Sequence, residues 1–157
     1  MRKQGKYQTT MKNFMKCGLA GWCMEILFTS AESVMAGDMR LMGHTSLFMF
    51  PIYGMGVLLG PISQAVDRWL GDAETAGRRD RFWRHGVGDM VLIFTAEYLS
   101  GAFLRRFGLC PWDYSGRPFQ VDGLIRLDFA PLWFGAGLFF ESLTRRKSEG
   151  KRKVESR

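Results

Sequence analysis

Long apolar segments separated by short charged ones dominate the chain. Between Gly43 and Val66 the sequence GHTSLFMFPIYGMGVLLGPISQAV contains no Lys, Arg, Asp or Glu. A helix rises about 1.5 Å per residue, so this segment is long enough to cross about 30 Å of hydrocarbon. Three other apolar segments have a similar length, although each carries one or more acids. The pattern predicts an all-α membrane protein with four transmembrane helices at about residues 14–35, 46–66, 86–104 and 124–143.

The distribution of Lys and Arg predicts how these helices are oriented. Basic residues resist translocation and collect in cytoplasmic segments. They are frequent before the first span, between the second and third spans, and after the fourth, and they are sparse in the other two connections. Both termini are therefore predicted to be cytoplasmic, as basic ends at residues 1–13 and 144–157 that flank a membrane domain at residues 14–143. Orientation explains the net charge of +7, so no nucleic-acid partner is required.

A soluble helical bundle is the main alternative interpretation of the four segments. Asp89 and Glu97 both lie in the third segment, and charged residues are costly in a membrane span. A cleaved secretory signal fits less well, because Glu25 interrupts the first apolar segment and further spans follow it. We therefore expect an uncleaved integral membrane protein.

The four spans contain a weak internal repeat. In the second and fourth spans the matched positions lie eighty residues apart, and they are Gly43 and Gly123, Leu47 and Leu127, Pro51 and Pro131, and Tyr53 and Trp133. In the first and third spans Glu25 corresponds to Glu97, seventy-two residues later, and an insertion at Cys110–Arg117 reconciles the two offsets. The pattern predicts two tandem two-helix units that enter the membrane in the same direction. Chance similarity between apolar helices is the alternative.

Glu25 and Glu97 are the strongest functional candidates. A carboxylate near the middle of a span costs about 3 kcal/mol, so it usually faces the bundle interior or water. Two such groups near each other can share a proton, bind a cation or hold a polar headgroup. In the structural alternative, a protonated Glu only bonds to Tyr53, Ser100 or a backbone carbonyl and so joins two helices. Asp89, Asp128 and Glu141 lie nearer the span ends, where we expect solvated anchoring groups.

The outer connection contains the unusual segment Pro111-Trp112-Asp113-Tyr114-Ser115. Proline fixes φ, an aspartate accepts bonds from nearby amides, and the aromatic rings suit the headgroup level, so the segment predicts an interfacial or re-entrant turn. His44, Cys110 and Asp113 share this outer side, but their spacing fixes no geometry, and neither a metal site nor a cofactor is predicted. Four tryptophans near predicted span ends fit an aromatic belt, namely Trp69, Trp83, Trp112 and Trp133.

Several short motifs together resemble a known family. They are Trp22-Cys23-Met24-Glu25, Ile52-Tyr53-Gly54, Cys110-Pro-Trp-Asp-Tyr-Ser115, and Trp133-Phe134 with Glu141. This combination resembles the bacterial CmpB-like type IV ABC-transporter permease family and is similar to the transmembrane protein 229 family. The resemblance covers about residues 21–141. It implies a small multi-span protein of the bacterial inner (cytoplasmic) membrane, without an established substrate or catalytic residues.

The leading functional hypothesis is a permease or transport component with a polar intramembrane site. The candidate binding residues are Glu25, Glu97, His44, Tyr53, Asp113 and Tyr114. Four spans rarely enclose a pathway alone, so a homo-oligomer, or a partner membrane or ATPase subunit, is expected in addition to membrane lipids. The sequence has no Gly-x-x-x-x-Gly-Lys phosphate loop, so ATP use would require that partner.

Two other classes of function remain open. The first is a membrane-embedded enzyme acting on a lipid or lipid-linked headgroup, with Glu25, His44, Glu97 and Asp113 as acid, base or headgroup contacts. No nucleophile with an adjacent base is evident from spacing, which disfavours catalysis. The second is a structural or interaction protein whose acids only hold helices together.

Overall fold

The described part of the chain forms five α-helices, of which the second and third are nearly continuous, and one short hairpin. The structure, a computed structural model, describes residues 2–71 and 77–145, with side chains from residue 7 onward. The helices are α1 (Arg2–Met35), α2 (Met49–Gly54), α3 (Leu59–Trp69), α4 (Arg78–Arg106) and α5 (Ala130–Thr144), and the strands are β1 (Gln120–Val121) and β2 (Ile125–Arg126). The mostly helical fold agrees with the all-α prediction, which did not include the hairpin.

Helices α2 and α3 form one nearly continuous segment, which a 3-10 turn at Met55–Leu58 interrupts. Pro61 lies in the first turn of α3 and has no N–H to donate to the preceding turn, so regular α-helical bonding stops there. Pro51 likewise lies in the first turn of α2, where a missing N–H costs little. The predicted second span at residues 46–66 therefore contains a 3-10 stretch between two α-helical pieces.

The hairpin lies in the connection between α4 and α5. Val121 pairs with Ile125, and Gln120 with Arg126, in an antiparallel register. Asp122 and Gly123 both adopt positive φ, 53° and 66°, as an Asp-Gly turn of the type that joins two twisted strands requires. Because the hairpin occupies residues 120–126, helix α5 begins at Ala130, whereas the predicted fourth span begins at about residue 124.

Two helical segments are long and apolar enough to cross a membrane, Met49–Trp69 and Arg78–Arg106. In their most apolar windows only 28% and 17% of residues are buried inside the protein. Core helices of a soluble protein would be mostly buried, and soluble proteins rarely expose such extensive apolar surface. The exposed apolar side chains include Leu27, Leu99 and Phe103 on the two long helices α1 and α4. This surface favours a lipid environment over the soluble bundle.

Helix α1 packs chiefly on α2, and α4 packs chiefly on α5. In the first pair a Cβ on Gly54 would collide with the Phe14 ring, and in the second a Cβ on Gly86 would collide with the Phe134 ring. Phe14 and Gly86 are seventy-two residues apart, and Gly54 and Phe134 are eighty apart, which are the two offsets of the internal repeat. The same close contact thus occurs twice, with glycine and phenylalanine exchanged between the helices.

Candidate functional site

A cavity of about 490 Å³ lies between the helices, below the connections that were predicted to be outside. This volume is within the range of small-molecule sites, about 300 to 1,000 Å³. All six residues predicted as candidates contribute to its lining, namely Glu25, His44, Tyr53, Glu97, Asp113 and Tyr114. Residues from α1, α2, α4, α5 and both outer connections therefore meet at one place.

Glu97 is the buried carboxylate of the cavity. It lies on α4 and its side chain is only 9% exposed. Its Oε2 atom accepts a hydrogen bond of 3.1 Å from Trp133 Nε1 on α5, and its Oε1 atom accepts one of 3.4 Å from the Tyr114 hydroxyl. Neither donor is a cation, so among the described residues no ion pair neutralises Glu97.

Glu25 lies on the opposite part of the lining, on α1, and is half-buried. Its Oε2 atom accepts a hydrogen bond of 2.7 Å from the Thr45 hydroxyl. Tyr53 on α2 also interacts with this carboxylate. In the described part of the chain Glu25, like Glu97, has neutral partners and no ion pair.

Two tyrosines connect the surroundings of the two acids. The hydroxyls of Tyr53 and Tyr114 each lie near enough to both Glu25 and Glu97 to interact with their charges. For Tyr114, in the outer connection, burial and the charge of Glu97 raise the pKa above the ordinary value, so the phenol stays neutral and remains a donor. The described contacts include no direct bond between the two carboxylates. They line one cavity, and Tyr53 and Tyr114 each interact with both of them.

The aromatic partners of the two acids occupy equivalent positions of the repeat. Tyr53 interacts with Glu25 in the first half, and Trp133 donates to Glu97 in the second half. The sequence comparison aligned Tyr53 with Trp133 and Glu25 with Glu97. Each half therefore presents one carboxylate and one aromatic donor to the same cavity.

The Pro111–Ser115 segment lines the cavity on the side predicted to be outside, and it rests on the hairpin. Trp112 Nε1 donates a bond of 3.0 Å to the carbonyl of Leu124, and Tyr114 N donates one of 2.8 Å to the carbonyl of Gly123. The Trp112 ring also lies against Gly101 on α4, where even a methyl group would lie 2.9 Å from ring atom Cζ2. These contacts hold the segment in one position against the cavity.

His44 and Asp113 contribute to the site less directly. Both are exposed, and the backbone of His44 exchanges hydrogen bonds of 2.9 and 3.0 Å with the Thr29 hydroxyl. The Asp113 carboxylate accepts bonds from Ser115 N at 3.0 Å and Ser115 Oγ at 2.6 Å. These bonds lower the pKa of Asp113. Their main visible role is to hold the two connections in shape.

Arg126 lines the cavity beside Tyr114, with its guanidinium 5.9 Å from the centre of the Tyr114 ring. It forms a bidentate pair with Asp128, at 3.1 Å from Nε and 2.6 Å from Nη2. Its guanidinium also lies 4.2 Å from the centre of the Phe129 ring. The bound carboxylate neutralises most of the positive charge that Arg126 would offer to an anion.

A comparison with known protein families gives a match that spans most of the chain. The model of the family described as Putative ABC-transporter type IV matches residues 12–151. The chain belongs to this family. The match includes every described residue of the cavity lining and makes the chain an ABC-transporter-related membrane protein. No solved structure matches the fold.

The sequence interpretation missed several residues of the site. Trp133 was assigned to an aromatic belt, but its indole donates to Glu97, and Trp112 likewise points inward to Gly101. The sequence contained a signal that could have identified Trp133, because Trp133 matches Tyr53 in the repeat. Thr45 carried no comparable signal, since its contact with Glu25 depends on how the first outer connection folds back.

Two other acids are not the solvated anchors that the sequence indicated. Asp89 is fully buried and Glu141 is 7% exposed. Asp89 lies directly against Gly137, where a Cβ would collide with it. The expectation was wrong because the position of a residue along a helix determines only its depth in the span. The direction in which its side chain points is determined by the packing of α4 on α5.

Proposed function

We propose that the chain is the membrane-spanning component of a transport system and that the cavity between Glu25 and Glu97 binds a small solute carrying a positive charge, such as an organic ammonium ion. The observation that carries this proposal is the pair of carboxylates without cationic partners on the wall of one 490 Å³ cavity.

The lining favours a cation over an anion. An ammonium group interacts with carboxylates and with the faces of aromatic rings, and these interactions strengthen where water is excluded. Tyr53, Tyr114 and Trp133 supply such rings beside the acids. Arg126 is engaged by Asp128, so it opposes a bound cation less than a free guanidinium would.

The same proposal includes the arrangement of the chain in a bacterial inner membrane. The four spans are α1, the Met49–Trp69 segment, α4 and α5. Both termini lie on the cytoplasmic side, and the cavity opens toward the outside. The matching contacts of Gly54 with Phe14 and of Gly86 with Phe134 support two tandem two-helix units. Helix α5 is short for a span, which favours a second copy or a partner membrane subunit beside it, and an ATPase subunit would supply energy.

Binding to the purified full chain in lipid nanodiscs tests the site. The probes are choline, tetraethylammonium and the uncharged choline isostere 3,3-dimethylbutanol, measured by calorimetry at low and physiological salt. We expect a charged probe to bind at least about tenfold more tightly than the isostere, equivalent to about 1.4 kcal/mol. Glu25→Gln and Glu97→Gln should each weaken this binding by about tenfold or more.

Asp38→Asn is the matched control, because Asp38 is an acid paired with Arg40 outside the cavity. It should leave binding unchanged. Equal affinity for charged and uncharged probes, or unchanged affinity in both glutamine variants, would refute the cation site. The transport role is tested by uptake of the bound probe into proteoliposomes. Conversion of lipid without uptake would instead indicate the enzyme alternative.

A further inference from the structure

A second polar cluster lies away from the cavity, at the end of the bundle predicted to be cytoplasmic. His85 on α4 occupies its centre. Its Nε2 atom is 2.9 Å from Asp67 Oδ2 on α3, and its Nδ1 atom is 2.9 Å from Glu141 Oε2 on α5. All three side chains are less than a tenth exposed. One imidazole therefore joins three helices through two carboxylates.

A second layer repeats this arrangement one helical turn deeper. Asp89 follows His85 by one turn on α4, Ser63 precedes Asp67 by one turn on α3, and Gly137 precedes Glu141 on α5. The Ser63 hydroxyl donates a bond of 3.0 Å to Asp89, and Asp89 packs against the Gly137 backbone. The cluster is thus a built element of three packed helices.

The hydrogen bonds of His85 fix the number of protons in the cluster. Each nitrogen-to-oxygen contact requires one hydrogen between its two atoms. If both carboxylates are ionised, the ring must be an imidazolium; if the ring is neutral, one carboxyl group must carry the hydrogen. In both cases the three side chains Asp67, His85 and Glu141 together carry one more proton than they would with a neutral imidazole and two ionised carboxylates.

Loss of this proton would break one of the two contacts, because a ring lone pair would then face a carboxylate oxygen. Asp67 is also held by Arg84, at 2.8 Å, and lies 3.6 Å from Arg81. Among the described residues Glu141 has no arginine partner of this kind; its ion pair is the contact with His85, and its Oε1 atom is buried without a hydrogen-bond partner. The contact between His85 and Glu141, which joins α4 to α5, is therefore the weaker of the two.

The charged groups that face His85 determine the direction of the pH dependence. Asp67 lies on α3, Arg81, Arg84 and Asp89 lie on α4, and Glu141 lies on α5. The two arginines are directed to Asp67, whereas both ring nitrogens face carboxylates. Asp89 is fully buried, and among the described residues its Oδ2 atom has no hydrogen-bond partner, so a charge there would be costly. The carboxylates in direct contact retain the proton.

We propose that Asp67, His85 and Glu141 form a binding site for one exchangeable proton, and that occupancy of this site holds α5 against α4. The site is full at low and neutral pH and empties as the pH rises. Since α5 also carries Trp133, the partner of Glu97, release of the proton would loosen one wall of the distant cavity. This inference concerns a different ligand and does not depend on which solute the cavity binds.

Imidazole nitrogen NMR on the full chain in lipid nanodiscs, labelled with ¹⁵N-histidine, tests the proposal. The chain has two histidines, and free histidine, whose side-chain pKa is about 6.5, serves as the external reference. We expect His85 to keep hydrogen on both nitrogens, or in strong bonds to both carboxylates, at pH values where the side chain of free histidine is already neutral. Loss of the proton from His85 in the same pH range as free histidine would overturn the proposal.

Variants connect this proton to helix packing. Glu141→Gln should move the His85 transition to lower pH by about one unit or more, whereas Asp80→Asn, which removes an exposed acid from α4, should leave it in place. The thermal midpoint of the wild-type chain should fall as the pH rises through the His85 transition, and Glu141→Gln should flatten this dependence. A pH-independent wild-type midpoint would refute the coupling. If Glu141→Gln does not fold, the wild-type measurements alone decide.

The experiment separates this proposal from the proposed function. Glu25→Gln, which should weaken solute binding by about tenfold or more, should leave the His85 transition unchanged. If the chain binds choline but His85 does not hold the extra proton, only the proton-site proposal is refuted. If His85 holds the extra proton but the chain binds no ammonium probe, only the solute-site proposal is refuted.

Discussion

The indole Nε1 of Trp133 donates a hydrogen bond of 3.1 Å to Oε2 of Glu97. A residue at a predicted span end thus holds a carboxylate in the interior, and the same position in the first half, Tyr53, interacts with Glu25. The site is therefore formed by pairs that the repeat relates, rather than by a direct bond between the two acids. Neutral hydrogen-bond donors orient both carboxylates, and among the described residues neither carboxylate is paired with a cation.

Gly101 should be required to hold the Pro111–Ser115 segment against the cavity. A Cβ there would lie 2.9 Å from both Leu124 Cδ2 and Trp112 Cζ2, and overpacking of this kind costs about 1 to 3 kcal/mol. We expect Gly101→Ala to lower the free energy of unfolding, measured by denaturant titration in detergent. Gly88→Ala on the same helix, where nothing lies within 4 Å, should be neutral or stabilising, because alanine favours the helix. Equal effects of the two changes would exclude the packing explanation.

The two glycine-to-phenylalanine contacts should respond alike to substitution. Gly86 faces the Phe134 ring, which Phe82 and Trp83 also contact, so the ring has little room to move. We expect Gly86→Ala and Gly54→Ala each to lower the free energy of unfolding by about 1 to 3 kcal/mol. Each change should therefore also lower the thermal midpoint. The matched control on α5 is Gly135→Ala, because nothing lies within 4 Å of that position. A control as damaging as Gly86→Ala would contradict this prediction.

The Asp113 turn should persist to unusually low pH. Hydrogen bonds from Ser115 lower the pKa of Asp113, so the turn is favoured at pH values above the unfolded value of about 3.9 and is lost as the pH falls through the lower folded value. Carboxyl ¹³C NMR should show a midpoint below about 3.9 for Asp113, with the Ser115 amide following it. In Ser115→Ala the midpoint should rise, and in Asp113→Asn the Ser115 amide should stop responding. A midpoint that Ser115→Ala does not move would rule out this turn as the cause.

The orientation of the helices can be measured directly. In a chain whose native cysteines are changed to alanine, Gly116→Cys should react with a membrane-impermeant maleimide added outside intact cells, because Gly116 lies in the exposed outer connection. Arg79→Cys, at the exposed beginning of α4, should react only after permeabilisation. The opposite pattern would invert the proposed topology and place the cavity on the cytoplasmic side.

The apolar pattern alone was sufficient to locate the helical segments and to select Glu25 and Glu97. These features depend on local properties, namely the length of an apolar segment and the cost of a carboxylate within it. The six candidate residues line one cavity, and two features of the sequence had grouped them: the repeat that aligns the two acids, and the prediction that His44 and Asp113 share one side. The boundary of α5 was less predictable, since the hairpin depends on backbone pairing between residues 120 and 126.

The contacts of His85 could be decided only by the tertiary structure. Asp67, His85 and Glu141 have no common spacing in the sequence, and they meet because α3, α4 and α5 pack with one face of each helix turned inward. Hydropathy reports how deep a residue lies in a span, but not the direction in which its side chain points. The sequence by itself therefore determined the helices and the two cavity acids, whereas helix rotation and close packing at glycine determined which polar groups are bonded to each other.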